Sequence, residues 1–406
     1  MKFFVFLSII LSSIASNAAL SARAQKEISL IGIEEIPGDT YEDGAPGRLL
    51  EDNVTRDNQI GGLGGAIDYL GKGNSYVMTP DRGPGAGQTT YKERFYYVEI
   101  PIPGKNNPAP RPRVFFQRIL RNEKGNAFTG NSRAYDIKNP PNSLRLDAEG
   151  VRVSRNGNQL YISDEYGPHI DVFSIRTGRR IRSIDVPNKF SIDAPSEKGE
   201  EELLINNHGR QPNRGFEGIS ITHSGRYIFA ITQDPLLQDC DSKDNGKPKG
   251  IKNRILRIDL MHGNQDEYEY LLDSEENGVS EIIALNDHHL MTLERDSKSG
   301  AEARTKKIYL IDTKRATNIK HEESLSKEHK KKEDRANRII PVEKKPLVDL
   351  LKLGINDVPE KFEGMTFGPD IDHKTKLLVI STDNDFKSTE PTRIFLLSVP
   401  KLLIKM

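Results

Sequence analysis

The residues with the greatest chemical potential are acids that recur in register along the chain. Glu149, Glu217, Glu281 and Glu363 each open an apolar run, three of them as the pairs Glu149-Gly150, Glu217-Gly218 and Glu363-Gly364. A second run follows each and ends in acid again: Asp164-Glu165, Gln233-Asp234, Glu294-Arg295-Asp296 and Asp383-Asn384-Asp385. Asp81-Arg82 ends an earlier run of the same kind. If the two runs pair as antiparallel strands, the start of one and the end of the next lie at the same edge, so all these groups converge on one mouth. Carboxylates at close range raise one another's pKa and cost free energy, so such a mouth requires a cation. Oxygen ligands without paired His or Cys suit Ca2+. The candidate ligands are Glu149, Asp164, Glu217, Glu281, Glu294, Glu363, Asp383 and Asp385. Arg82 and Arg295 are the candidates for steadying a developing anion, and Glu165 is the third catalytic candidate. A purely structural reading stands beside this one, in which the Glu-Gly pairs bond backbone amides of a neighbouring unit.

The elements that must position these groups form a repeat with a period of roughly 65 to 80 residues. One unit reads Glu149 to Val153, turns at Asn156-Gly157, continues through Leu160 to Asp164, and resumes at His169 to Ile175. Further units start at Phe216, Ser280 and Phe362, and a degenerate unit starts at Gly61. Short apolar or alternating runs separated by Gly, Asn and Asp are strands in hairpins, not helices. Fourth strands are expected at Val114 to Leu120, Ile181 to Val186, Tyr268 to Leu272 and Leu347 to Leu351. The last unit lacks one, and Ile28 to Ile36 is expected to supply it, closing the ring and covering a sheet edge. The fold class is therefore all-β, a β-propeller with four-stranded blades. Five blades are readable, and the spacing between Ile100 and Glu149 leaves room for a sixth.

Composition narrows the function classes. The 406 residues carry 59 Lys+Arg against 59 Asp+Glu, so nothing draws the protein generally to nucleic acid or to an anionic membrane. Cys240 is the single cysteine, which excludes an intramolecular disulfide framework and a thiolate-only zinc site. Lys2, the apolar run Phe3 to Leu11, and Ala22-Arg23-Ala24 have the layout of a secretory signal peptide. Residues 1–24 are thus expected to be removed, leaving one propeller domain over 25–406 in a periplasmic or secreted protein, with no integral membrane segment and as a monomer. Lys314 to Lys345 holds eleven Lys/Arg and six Asp/Glu and is expected to be a charged, solvated insertion. Asp239 to Lys252 reads as a long polar loop, and Lys243 at a ligand position excludes an EF-hand there. No G-x-S-x-G elbow, P-loop or H-E-x-x-H helix occurs.

In Gly61-Gly62-Leu63, Asp147-Ala148-Glu149-Gly150, Ser163 to Pro168, Gly215-Phe216-Glu217-Gly218, Ser280-Glu281-Ile282, Leu293-Glu294-Arg295-Asp296, Phe362-Glu363-Gly364 and Asp383-Asn384-Asp385-Phe386, the chain resembles the secreted phytase-like, "esterase-like activity of phytase", family. The resemblance implies an exported propeller and, by analogy with calcium-using propeller phytases, hydrolysis of phosphate or carboxylic esters. Where Glu-Gly stands in other blades, the first has Gly65-Ala66-Ile67 and adds no Glu to the ring. Two function classes follow: a calcium-dependent hydrolase of a small anionic or ester substrate, and a non-catalytic propeller that binds a ligand or partner at the same mouth. A lactonase-type propeller is a further alternative.

Overall fold

In each repeat, apolar side chains on both faces of a strand leave no face for water, so every sheet must be covered on two sides. The computed structural model, which describes residues 24–104, 111–136, 138, 142–326 and 338–405, meets that demand with five four-stranded antiparallel sheets arranged as blades. In chain order the strands are β1 (Ser29–Ile36), then β2 (Ala66–Tyr69), β3 (Ser75–Thr79), β4 (Arg94–Glu99) and β5 (Arg113–Ile119) of the first blade. The second blade holds β6 (Ala148–Val153), β7 (Gln159–Asp164), β8 (His169–Ser174) and β9 (Arg180–Ile184). The third holds β10 (Phe216–Ile221), β11 (Tyr227–Thr232), then, after the small hairpin β12 (Ser242–Asp244) and β13 (Lys247–Lys249), β14 (Lys252–Asp259) and β15 (Gln265–Leu271). The fourth is β16 (Asn277–Ala284), β17 (His289–Asp296), β18 (Lys306–Asp312) and β19 (Glu343–Asp349). The fifth is β20 (Phe362–Asp370), β21 (Thr375–Thr382) and β22 (Thr392–Pro400), completed by β1. β1 runs antiparallel to β22 from Ser29 opposite Ser398 to Ile36 opposite Thr392, so the N-terminal strand closes the last blade as expected.

The inner strands β2, β6, β10, β16 and β20 each touch the next, and β20 returns to β2, which closes a five-membered ring. No sixth blade exists among the described residues. Past β5, the chain before Glu149 is spent on isolated bridges such as Lys92 to Thr129 and Arg121 to Ala127. Apolar residues fill the seams between blades, one cluster per seam. Leu160, Ile162 and Phe173 meet Val77 and Phe95, whereas the alternate residues Ile170 and Val172 meet Ile219 and Leu256. At about 1.5–3 kcal/mol for each large side chain buried, these seams supply the main stabilisation of the ring.

Two polar segments are better anchored than their composition suggests. Asp239 to Lys252 is built around a fully buried ion pair in which Arg254 Nε and Nη2 donate to Asp239 at 2.6 and 2.9 Å, with β12 and β13 folded back beside it. Within the charged stretch 314–345, Ile319 and Leu325 are buried, and Leu325 N donates to Asp239 Oδ1 at 2.7 Å. Residues 327–337 of that stretch and 1–23 of the signal-peptide reading lie outside the described residues.

Candidate functional site

The Glu-Gly pairs mark a recurrent irregularity. The ladder between the first and second strand of a blade shifts register between Ala148 and Gly150, Phe216 and Ile219, Val279 and Glu281, and Phe362 and Met365. A bulge at the start of an inner strand re-aims the side chain it carries. The glycines are needed because neighbouring inner strands come too close for a side chain: a Cβ at Gly150 would meet Glu217 O at 2.7 Å, and one at Gly218 would meet Glu281 Cα at 2.7 Å. The pair is therefore one device, an acid turned towards the axis followed by a glycine whose backbone packs close against the neighbouring strand.

That device and the ends of the second strands together line a cavity of about 40 Å³ at one mouth of the channel. Glu149, Glu217, Glu363, Asp81, Glu165 and Asp383 contribute six acids, and Arg82, Arg214, Arg295 and Lys361 contribute four cations. Arg82 Nη1 lies 2.8 Å from Asp147 Oδ2 and 3.8 Å from Glu165 Oε2. Arg295 Nη2 lies 2.5 Å from Glu363 Oε1, while its Nε donates to Ser280 Oγ at 2.9 Å. Lys361 Nζ lies 2.8 Å from Asp383 Oδ2 and also contacts Asp385. Gln233 Nε2 donates to Glu217 Oε1 at 2.8 Å within the third blade, and Gly215 N donates to Glu165 Oε1 at 2.9 Å, tying the third blade to the second.

Two groups of carboxylates have oxygens all within 4.8 Å of one another: Asp147, Glu149 and Glu165, all buried, and the more open Asp81, Asp383 and Asp385. Burial, with the charge of Asp147 added, pushes Glu165 up to about 8, against the opposing pull of Arg82. Burial and the charge of Asp383 push Asp81 up to about 8 as well. Glu149 and Glu217 stand well above the usual carboxylate range, through burial first and then through neighbouring acids. Asp383 behaves oppositely: burial disfavours its charge, but the ammonium of Lys361 outweighs it and holds the carboxyl low.

Of the residues expected at the mouth, Arg82, Glu149, Glu165, Glu217, Arg295, Glu363 and Asp383 line the cavity, and Asp385 stands beside it through Lys361. Asp234, paired with Arg214, and Asp296, paired with Lys306, do not line it, and three candidate ligands lie elsewhere. Glu281 is on the channel axis, where its Oε2 is 2.9 Å from Arg152 Nη2 and burial brings its carboxyl to about 7. Arg152 spans the ring there, donating to the carbonyls of Ile67, Val151, Ile282 and Met365. Glu294 faces the seam between the third and fourth blades, accepting from Tyr270 Oη, Asp273 N and Asn277 Nδ2 and pairing with Lys344. The pleat explains this, because Glu294 and Arg295 are consecutive on β17 and must point to opposite faces. Asp164 accepts from Asp147 N and Tyr166 N, each at 3.0 Å, so it shapes the loop that carries Asp147.

Asp147, Arg214, Gln233 and Lys361 are site residues not among those expected. For two of them a signal existed: Asp147 and Lys361 each precede a mouth Glu by two positions, which is the same-face spacing of a strand. Glu93, fully buried and near Asp81 and Asp147, had no motif at all; burial pushes its carboxyl well above the ordinary range.

His169 lies outside the mouth, with Nε2 3.3 Å from Asp164 Oδ2 and 3.5 Å from Asp171 Oδ2. Burial disfavours its charge, but Asp171 and Asp164 outweigh that and raise it to about 9. Since an unfolded histidine titrates near 6.5, the stabilisation is complete below that pH and is lost as pH rises through about 9. His169→Gln is expected to cost about 2 kcal/mol at pH 6, discounted for the 31% of the side chain left exposed, and far less at pH 10. Urea unfolding at the two pH values measures this, and equal losses would contradict the ion pair.

The description "Phytase-like: Esterase-like activity of phytase" matches residues 58–386. An "Uncharacterized secreted protein" of Arthroderma benhamiae is 29% identical over 197 residues, covering 41% of this chain and 37% of the relative, so the match spans little more than a third of that protein's length. Among solved structures, Kuenenia stuttgartiensis hydrazine synthase is similar with a TM-score of 0.38 and 13% identity over 80% of this chain and 78% of that one. A chain of the nidogen/laminin complex gives 0.34 and 8% over 82% and 84%. No helix among the described residues is long and apolar enough to cross a membrane.

Proposed function

This chain belongs to the phytase-like, esterase-like activity of phytase, family, and from that premise we propose that it is an exported, calcium-dependent hydrolase of phosphate or carboxylic esters acting at the acidic mouth. The observation that carries the reading is the buried trio Asp147, Glu149 and Glu165. Calcium–oxygen distances of about 2.3–2.6 Å place opposite ligands nearly 5 Å apart, so three carboxylates with oxygens within 4.8 Å suit one such ion. Glu165 Oε2 is buried without a hydrogen bond, consistent with a lone pair left for it. Both trios already meet a cation, but the second fits less well: it is the more exposed, and Lys361 contacts Asp383 and Asp385 directly, whereas Arg82 hydrogen-bonds Asp147 and stands 3.8 Å from Glu165. A calcium ion at the first trio would supply charge to polarise the scissile ester and to favour attack by water.

The chain's own residues then do the rest. A space of about 40 Å³ admits a few water-sized bodies, so only the reacting head of a substrate enters and its remainder stays on the rim. Arg295 and Arg214, held by Ser280 and by Asp234, present N–H donors to the incoming anion from fixed positions. Asp81 holds its proton up to about pH 8 and lines the cavity, so in this reading it serves as the general acid for a leaving oxygen. Arg82 keeps Asp147 oriented. Residues 1–24 act in this reading as a removable export signal and 25–406 as one monomeric domain.

Purified mature protein is expected to turn over p-nitrophenyl phosphate or p-nitrophenyl acetate, with activity lost on chelation and restored by calcium. Glu149→Gln should lower turnover by about a hundredfold or more. Activity indifferent to both chelator and this substitution would remove the proposal. A folded protein that binds anions at the mouth without hydrolysing either ester would favour the non-catalytic reading, for which the existing pairing of Arg295, Lys361 and Arg82 with acids speaks.

A further inference from the structure

A second cavity, about 410 Å³, opens on the flank of the second blade. No residue that lines it also lines the mouth, and its volume is within the range of small-molecule sites, which the mouth's about 40 Å³ is not.

Arg145 is in its wall and is only 8% exposed. The guanidinium lies over two aromatic rings, 4.7 Å from the centroid of Tyr135 and 4.5 Å from that of Tyr166. Its backbone is fixed, since Arg145 N donates to Ala134 O at 3.1 Å. Among the described residues the guanidinium makes one hydrogen bond, from Nη1 to Ser132 O at 3.2 Å, and no carboxylate is in ion-pair contact with it. Arginine is almost never buried without an acid, because an unpaired buried charge is costly. Burial and the nearby charge of Arg210 act against its charged form, which a bound anion would relieve.

With two tyrosine rings against the guanidinium, the in-plane edge that carries the N–H groups is the side on which a polar partner can bind. That fork matches the paired oxygens of a carboxylate or a phosphate. Asp136, Asp164, Asp185 and Asp193 line the wall; Asp164, the one whose charge bears most on Arg145, is already occupied, accepting two backbone N–H bonds and facing His169. Pro168, Ile184, Val186 and Ile192 supply apolar lining. We propose that this flank cavity binds a small organic anion, a carboxylate or phosphate on a compact apolar body, with Arg145 as its anchor.

The test is calorimetric titration of the mature protein with benzoate, phenyl phosphate and inorganic phosphate. Saturable one-to-one binding of benzoate or phenyl phosphate is expected, tighter than that of inorganic phosphate, and the tighter of the two organic probes identifies the head group. Arg145→Met should weaken it by about tenfold or more. Ile192→Trp, which fills the cavity and leaves the charges in place, should do the same and decides the matter if the arginine variant does not fold. Glu149→Gln, at the mouth, should leave this binding intact. Absence of saturable binding by any of the three probes, or binding that survives both flank variants, would overturn the proposal.

Discussion

Arg152→Ala is expected to destabilise the protein by about 3–5 kcal/mol, the cost of leaving a buried partner unpaired. The side chain is 5% exposed and pins four of the five inner strands through the carbonyls of Ile67, Val151, Ile282 and Met365. Its loss orphans those carbonyls and strands the Glu281 carboxylate on the axis. Glu281 titrates at about 7 with Arg152 present and higher without it, so the variant's carboxyl is neutral at pH 5 and the loss should be smaller there than at pH 8. Guanidinium unfolding at both pH values measures the difference. A loss below about 1 kcal/mol at pH 8 would mean that the guanidinium is not a structural tie across the ring.

Calcium affinity is expected to rise by about fiftyfold between pH 6 and pH 8, because Glu165 must give up a proton that it holds to about 8. At pH 6 only about 1% of such a group is ionised, against about half at pH 8. The stability of the cation-free protein should move the other way. Asp81 and Glu165 keep their protons in the folded state but lose them near pH 4 when unfolded, so each contributes a falling slope of stability between about pH 4 and pH 8. Melting curves with and without calcium should therefore diverge as pH rises. Calcium titrations with a flat pH dependence would exclude Glu165 as a ligand.

Much of this architecture is legible along the chain because its causes are local. Asn156-Gly157 and Ser224-Gly225 are turns by residue type, and strand alternation is a property of neighbours two apart. The recurrence of Glu149, Glu217 and Glu363 at strand starts is legible in the same way, and all three reach the mouth, although the bulge that turns them there is not. Lys361 and Asp147 were readable by the same two-residue rule, yet their importance depends on which acids stand opposite. Asp239 shows the opposite limit: a polar, glycine-containing stretch reads as a loop, but Arg254 on β14 and Leu325 from a distant segment bury it.

What the sequence alone determined is the repeat, and with it the edge on which the acids gather, since both are set by covalent spacing along strands. The tertiary structure decided which cation each acid meets. Glu281 holds the same place in its blade as Glu217, but closure of the ring brings Arg152 to 2.9 Å from Glu281, whereas Glu217 meets Gln233 of its own blade at 2.8 Å. The interaction of charges depends on separations of a few ångströms and on exclusion of water, and neither exists until residues far apart in the chain are folded against one another.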